Sequence, residues 1–204
     1  LESARVENDF NLARVYLSSN RPKESAAILE VLFEKENSVR FGLRLIIAYE
    51  ALKKYDDALQ IIARLEKSIK NEIQQLNALK SSILAEKNEK AAALEIANNA
   101  FKRRIDTPFS AQRFAKVLIK YKQFKRADEF INRVLKRFPE NSSLLYLKGV
   151  SAFGCKDYEN AVELFLESIN SQFFNPTAHF YLGESLVKLD LLEDAFRAYS
   201  ISLK

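Results

Sequence analysis

The chain has 204 residues, of which 48% are hydrophobic and 29% charged, a balance that predicts a folded protein with a sizeable core and argues against a disordered one. It contains four glycines and four prolines, too few for the frequent tight turns of an all-β protein, whereas the helix formers Leu, Ala, Glu and Lys are plentiful. The net charge of +5 is concentrated in residues 70–140, where 16 basic and 8 acidic residues leave +8. No apolar run approaches the roughly 18 residues needed to span a bilayer, so no membrane segment is predicted.

The single cysteine, Cys155, excludes an internal disulfide and a cysteine-based zinc site. We expect it to be a partly buried, unreactive thiol, and we expect a reducing compartment such as the cytoplasm. The chain has no methionine, even at position 1, which indicates a processed product or a piece of a longer protein whose native N-terminus is missing.

Helical periodicity predicts six pairs of helices, an all-α fold. The first helices of the pairs are expected near 5–18, 39–52, 73–86, 108–120, 142–154 and 176–188. The second helices are expected near 23–36, 55–68, 89–103, 124–137, 158–171 and 191–203. No composition shift or flexible linker interrupts them, so we predict a single array over residues 1–204, with pairs at 5–36, 39–68, 73–103, 108–137, 142–171 and 176–203.

A period of about 34 residues runs along the chain. The stretches KYDDALQII, QFKRADEFI, DYENAVELF and LLEDAFRAY align on a central alanine, and weaker copies extend the pattern. Twelve residues before this position lie the small residues Ala115, Gly149 and Gly183, which would let two helices approach closely. The aligned alanines, spaced 31, 34, 35, 34 and 34 residues apart, are Ala27, Ala58, Ala92, Ala127, Ala161 and Ala195.

This pattern resembles the tetratricopeptide repeat over roughly residues 5–204. Leu182 with Gly183 reproduces the Leu-Gly pair of the repeat, and Pro139 occupies its terminal proline position. The resemblance implies a right-handed α-solenoid of about six helix pairs, each burying its apolar face on the next. The registers of the first and third pairs stay open, because SSNRPKES holds an extra turn residue and residues 91–93 are three consecutive alanines.

In this repeat family the first helices line a concave face, so the resemblance also implies a ligand groove. Such a groove is basic in the middle and aromatic toward the C-terminus, which suits an extended peptide or a helix with apolar anchors and some acidic residues. Carried over by register, the groove residues are Arg40, Asn77, Gln112, Lys116, Lys120, Tyr146, Val150, Phe153, Phe180 and Glu184.

Motifs that carry chemistry are missing from the sequence. It has no phosphate-binding loop, dinucleotide fingerprint, nucleophile elbow or HExxH, so we predict no enzymatic activity, no cofactor and no metal. His179, the only histidine, falls at the fourth repeat position and is predicted to pack between helices. The acidic pairs Asp56-Asp57 and Glu193-Asp194 are predicted to complement the dipoles of helices that begin beside them.

The first hypothesis is therefore a non-catalytic scaffold for protein–protein interaction, binding a protein or peptide partner in the groove. One alternative is nucleic-acid binding through the basic central repeats, which is less favoured because no array of exposed aromatic residues is interleaved with the charges. Another is an accessory module of a larger phosphoesterase. The stretch from LESINSQFF to AYSISL resembles repeats that follow the catalytic domain in some bacterial type I phosphodiesterases of the alkaline-phosphatase superfamily, and this resemblance implies a catalytic domain outside this chain.

Overall fold

The computed structural model describes residues 2–69, 73–105, 107–172 and 175–203. These residues form twelve α-helices and no strand, which confirms the all-α prediction. Helices α1 to α6 span Glu2–Ser18, Pro22–Lys35, Val39–Ala51, Tyr55–Ser68, Gln74–Glu86 and Lys90–Phe101. Helices α7 to α12 span Pro108–Lys120, Phe124–Leu135, Ser142–Gly154, Tyr158–Ser171, Pro176–Lys188 and Leu192–Ser202. Every bound lies within three residues of its predicted position.

The chain divides into two compact units, Leu1–Glu89 with α1 to α5 and Lys90–Lys204 with α6 to α12. Within each unit, every helix packs against the next one in the chain. The first helices of successive pairs also touch, α1 with α3 and α3 with α5 in the first unit, and α7 with α9 and α9 with α11 in the second. Inside each unit the pairs therefore stack in succession, as the pairs of a solenoid do.

The turn between the two helices of each pair contains a residue with positive φ. In the second pair, the N–H of Lys53 donates to the carbonyl of Glu50 at 3.0 Å, and the N–H of Lys54 donates to that of Tyr49 at 2.8 Å. The same two bonds recur in the other five turns, and they form the Schellman arrangement that ends a helix on a left-handed residue. The left-handed residues, with φ between 55° and 66°, are Asn20, Lys53, Asn88, Lys122, Lys156 and Asp190.

The buried residue five positions after each left-handed residue corrects the predicted register of two pairs. In the third pair the fully buried alanine is Ala93 and not Ala92. In the first pair the position belongs to Ser25, whereas Ala27 is exposed. A serine fits there because its hydroxyl donates to the carbonyl of Ala13 at 2.8 Å, so no polar group is buried without a partner. The corrected spacings, 33, 35, 34, 34 and 34, equal those of the left-handed residues.

Small residues lie where the pattern predicts close helix contacts. A Cβ built on Gly183 of α11 would lie 2.7 Å from Cε1 of Tyr199 on α12, so only glycine fits without a shift of the ring. In the third pair, the corrected register gives this position to Ser81, which is fully buried. The first helices α9 and α11 therefore carry Gly149 and Gly183 toward the second helices of their pairs.

Candidate functional site

Helix α7 presents a polar and basic stripe, because Gln112, Lys116 and Lys120 follow one another at steps of four residues. Gln112 is half-buried, and its Nε2 donates to Oδ1 of Asn141 at 3.4 Å. Asn141 is the N-cap of α9, where the same oxygen accepts the N–H of Leu144 at 3.0 Å. Lys116 and Lys120 are exposed, so the stripe continues along α7 as two basic side chains.

An aromatic cluster joins α9, α10 and α11, with Tyr181 at its centre. The centroid of the Tyr181 ring lies 5.6 Å from that of Phe180, 5.9 Å from Phe153 and 6.1 Å from Tyr146. These three rings approach edge to face, the arrangement that the charge distribution of aromatic rings favours. Phe165 stacks on Tyr181 at 5.9 Å with an angle of 26° between the planes. We call these five residues the Tyr181 cluster.

The Tyr181 cluster changes from buried to exposed across its width. Phe165 is fully buried, and Tyr146, Phe153 and Tyr181 are half-buried. Burial, and secondly the neighbouring Tyr181 hydroxyl, raises the pKa of Tyr146 to about 12. Phe180 is 46% exposed. The cluster therefore holds one aromatic ring at the surface on a base of packed rings.

Glu184 and Val150 both make contacts inside the second unit, Glu184 through a hydrogen bond and Val150 in the core. The hydroxyl of Tyr199 donates to Oε1 of Glu184 at 2.6 Å, and burial followed by this hydrogen bond raises the pKa of Tyr199 to about 12. The ring of Tyr199 also lies 5.8 Å from that of Phe180, so it supports the exposed ring from α12. Val150 is 9% exposed and belongs to the hydrophobic core of this unit.

The first unit holds the other two predicted groove residues. Arg40, at the start of α3, pairs with Glu7 of α1 at 2.5 Å, and its guanidinium lies 4.0 Å from the ring centroid of Phe10. About half of each charged side chain stays exposed, so the pair lies on the solvent-exposed surface where α1 and α3 are side by side. Asn77 of α5 is half-buried, and the corrected register places it at the fourth position of its repeat instead of the fifth.

Of the ten predicted groove residues, the structure brings Tyr146, Phe153 and Phe180 into one cluster. Sequence reasoning missed Tyr181, which connects them, because it occupies the sixth repeat position, outside the set that the family resemblance assigns to the groove. The sequence does contain one indication of the cluster, the adjacent aromatic residues Phe180 and Tyr181. Neighbouring residues on a helix point about 100° apart, so two such rings cover a wide surface.

The histidine, the acidic pairs and the cysteine that the sequence analysis singled out can each be located in the structure. His179 is 4% exposed, which confirms the prediction that it packs between helices. Acidic pairs lie in the first turns of α4 and α12, as predicted. Cys155 is exposed at the C-cap of α9, where the helix ends, so the expectation of a partly buried thiol is wrong.

The described part of the chain shows neither a candidate metal site nor a candidate membrane span. Among these residues, no group of three or more His, Cys, Asp or Glu side chains could hold a metal ion. No helix within the same ranges is both long and apolar enough to cross a membrane.

Comparison with known proteins supports the type of repeat. The profile of a tetratricopeptide repeat family matches residues 113–173, which extend from α7 to α10. No curated protein sequence matches the chain.

Solved structures resemble the fold over nearly the whole chain. PilW, a type IV pilus biogenesis factor, is similar with a TM-score of 0.75 and 15% identity, over 95% of this chain and 90% of that one. A chain of the APC/C hetero-tetramer Cut9–Hcn1 is similar with a TM-score of 0.77 and 16% identity, over 94% of this chain and 38% of that one. A tetratricopeptide repeat protein from Parabacteroides merdae has a TM-score of 0.65 and 11% identity, over 95% and 77%. At these identities, the likeness shows the fold alone.

Proposed function

We propose that this protein, a chain of tetratricopeptide repeats, is a non-catalytic scaffold that binds a peptide or an amphipathic helix of a partner protein on the face of its first helices. The observation that carries the proposal is the setting of Phe180. Its ring is 46% exposed, while contacts with Tyr181 and Tyr199 hold it from two sides. An exposed aromatic ring that packs on other rings is the kind of surface that an apolar side chain of a partner can cover.

Binding at the Tyr181 cluster needs little ordering of the protein. The rings behind Phe180 are already packed, so a partner that covers them loses little side-chain entropy on the protein side. Aromatic residues supply large contact areas, and a few of them commonly carry most of the binding free energy of an interface. We therefore expect Phe180 to be the principal anchor and Tyr146 and Phe153 to contribute at its border.

The charge of the second unit indicates the kind of partner. Lys116 and Lys120 are exposed on α7, one first helix before the cluster begins on α9. A partner with an apolar anchor and acidic residues beside it would place unlike charges across the interface. Such pairs raise the association rate at low salt more than they raise affinity.

The test is a selection of peptides from a displayed library against the whole chain, followed by affinity measurements on the selected peptides by fluorescence anisotropy. Phe180→Ser should weaken binding by about tenfold or more, which corresponds to about 1.4 kcal/mol. Lys116→Gln should slow association at low salt and have little effect at high salt.

The matched control is Phe196→Ser, because Phe196 is 75% exposed but lies on α12, a second helix. This variant should keep the affinity of the unaltered protein. Peptides that bind equally well to the Phe180 and Phe196 variants, or no enriched peptide at all, would refute the proposal.

The other predictions made from the sequence remain open. A single array over residues 1–204 stays a prediction, and so does the accessory role beside a phosphoesterase, which rests on the sequence resemblance alone. Nucleic-acid binding by the basic centre also stays a prediction. Phe101, one of the aromatic residues at this centre, is half-buried under Arg133, so it offers no open face for a base to stack on.

A further inference from the structure

The outer face of α12, together with its C-cap, exposes a row of large apolar side chains. Leu192, Phe196 and Leu203 are 60%, 75% and 87% exposed. Because a helix turns by about 100° per residue, these three positions lie within about 60° of one another around the helix axis. We call these three residues the α12 row. The row lies on a second helix and shares no residue with the Tyr181 cluster.

The preceding pair shows that these positions form a packing surface. The residues 34 positions earlier, on α10, are Tyr158, Val162 and Ile169. Tyr158 and Val162 are half-buried there, and Ile169 is 6% exposed. Helix α11 packs against α10, and Val162 and Ile169 join the hydrophobic core to which both helices contribute. An apolar row at these positions of a second helix is therefore covered when another helix lies on it.

Charged residues beside the α12 row make it complementary to a second copy of itself. Glu193 and Arg197 are exposed, and their spacing of four residues places them on the same side of the row. When two α12 helices pack antiparallel about a two-fold axis near residue 195, Glu193 of each copy lies opposite Arg197 of the other. Each ion pair then occurs twice, as the symmetry of a homodimer requires.

Both charged groups are free to form this pair. Glu193 has no ionic partner among the described residues. Arg197 contacts Asp194 of its own helix at 3.2 Å, but the two side chains are 75% and 57% exposed, and such a surface pair contributes little to stability. A guanidinium also has five N–H donors, so Arg197 can bind the second copy without leaving Asp194.

We propose that the α12 row is the interface of a homodimer in which the two α12 helices pack antiparallel. Phe196 lies one residue from the axis, about 1.5 Å along the helix, so the two Phe196 rings contact each other at the centre. The helix of an unrelated protein is less suited, because it would need the same spacing of apolar and charged residues that α12 already carries. The row is small beside the about 800 Å² per partner of a standard interface, so we expect a dissociation constant on the order of 10–100 µM.

The test is sedimentation velocity of the whole chain at low ionic strength, from well below to well above this concentration. The average mass should rise from 23.4 kDa toward twice that value. Phe196→Ser should weaken dimerisation by about tenfold or more, because it removes the central apolar contact. The matched control is Val31→Ser, which changes a side chain that is 57% exposed on α2 and should leave dimerisation unchanged.

A charge exchange tests the antiparallel pairing itself. Glu193→Arg alone, and Arg197→Glu alone, place like charges across the axis and should each weaken dimerisation by about fivefold at low salt. The variant with both changes restores opposite charges and should recover most of the loss. Added salt should reduce the differences between these variants. Circular dichroism shows whether each variant is folded.

Four results would overturn the proposal: a chain that stays monomeric over the whole range, dimerisation unchanged by Phe196→Ser, a double charge variant that recovers nothing, or growth beyond two copies, since a two-fold interface closes at the dimer. A monomeric chain whose selected peptides lose affinity in the Phe196 variant would assign the row to a partner protein instead. Self-association is measured without peptides, so this proposal and the peptide surface at Phe180 fail separately.

Discussion

Gly149 of α9 lies directly against the ring of Phe165 on α10. A Cβ built on Gly149 would lie 2.7 Å from Cε1 and 2.8 Å from Cδ1 of that ring. Phe165 is fully buried and also contacts Tyr146 and Tyr181, so it cannot move without disturbing the Tyr181 cluster. The missing side chain therefore sets how closely the two helices approach, and through Phe165 it supports the surface proposed to bind a partner.

Gly149→Ala should lower the free energy of unfolding by about 1–2 kcal/mol, because overpacking costs about 1–3 kcal/mol and the better helix propensity of alanine returns up to about 1 kcal/mol. Gly183→Ala is the matched comparison, since its Cβ would also lie 2.7 Å from a ring carbon, that of Tyr199. Tyr199 is only partly buried and can shift, so this loss should be smaller. Urea unfolding followed by circular dichroism measures both, and equal losses would contradict the role of Phe165.

Lys156 has φ 66°, a left-handed conformation that costs a residue with a side chain about 1–2 kcal/mol. Glycine adopts it without strain but loses more chain entropy on folding, about 0.4–1 kcal/mol. Lys156→Gly should therefore stabilise the protein slightly and raise the midpoint of thermal unfolding by a few degrees.

The control is Lys125→Gly, which replaces an exposed lysine in the right-handed first turn of α8. This change should lower stability by up to about 1 kcal/mol. A loss of stability in both variants would mean that the turn at Lys156 is not left-handed in solution.

The helix bounds were predictable because apolar spacing, small residues and prolines near helix starts agree along the chain. The registers of the first and third pairs were not predictable. Ser25 takes a position where the repeat pattern calls for alanine, and residues 91–93 offer three equivalent alanines. The left-handed residues determine the register in the structure, but Lys53 and Lys156 carry no side-chain preference that marks such turns in a sequence.

The exposure of the predicted groove residues could not be predicted from the sequence. Val150 and Phe180 are both apolar residues at groove positions, yet one is 9% and the other 46% exposed. Tertiary packing decides this difference, because Val150 lies inside the stack and Phe180 belongs to α11, in the sixth pair. Tyr181, whose ring connects the aromatic residues, was not among the predicted groove residues. Its role also depends on tertiary packing, that is, on contacts between helices.

The corrected third register can be tested with two glutamates. Ala93 is fully buried and Ala91 is exposed. Ala93→Glu forces a carboxylate into the core and should cost about 3 kcal/mol or more, whereas Ala91→Glu should stay within about 0.5 kcal/mol of the unaltered protein. Thermal unfolding followed by circular dichroism separates the two outcomes, and comparable damage by both variants would refute the assignment of Ala93.

Two partly buried tyrosines, Tyr146 and Tyr199, predict a loss of stability at alkaline pH. Burial raises the pKa of Tyr146 to about 12, and burial with the Glu184 hydrogen bond does the same for Tyr199. The ordinary value is about 10, so between pH 10 and 12 the folded chain keeps protons that the unfolded chain has released. Stability from these groups is complete below about pH 10 and falls as the pH rises toward about 12. Urea unfolding at a series of pH values measures this slope.

Tyr146→Phe keeps the ring of the cluster and removes the hydroxyl, so it should reduce the alkaline loss without changing the fold. In the absorbance of tyrosinate, the folded protein should show groups that ionise near pH 12, and the variant should show one fewer. The same titration in concentrated urea should lack these late groups, because unfolding exposes every tyrosine to water. A variant that loses its amplitude near pH 10 and keeps every group that ionises near pH 12 would show that Tyr146 is not packed in the Tyr181 cluster.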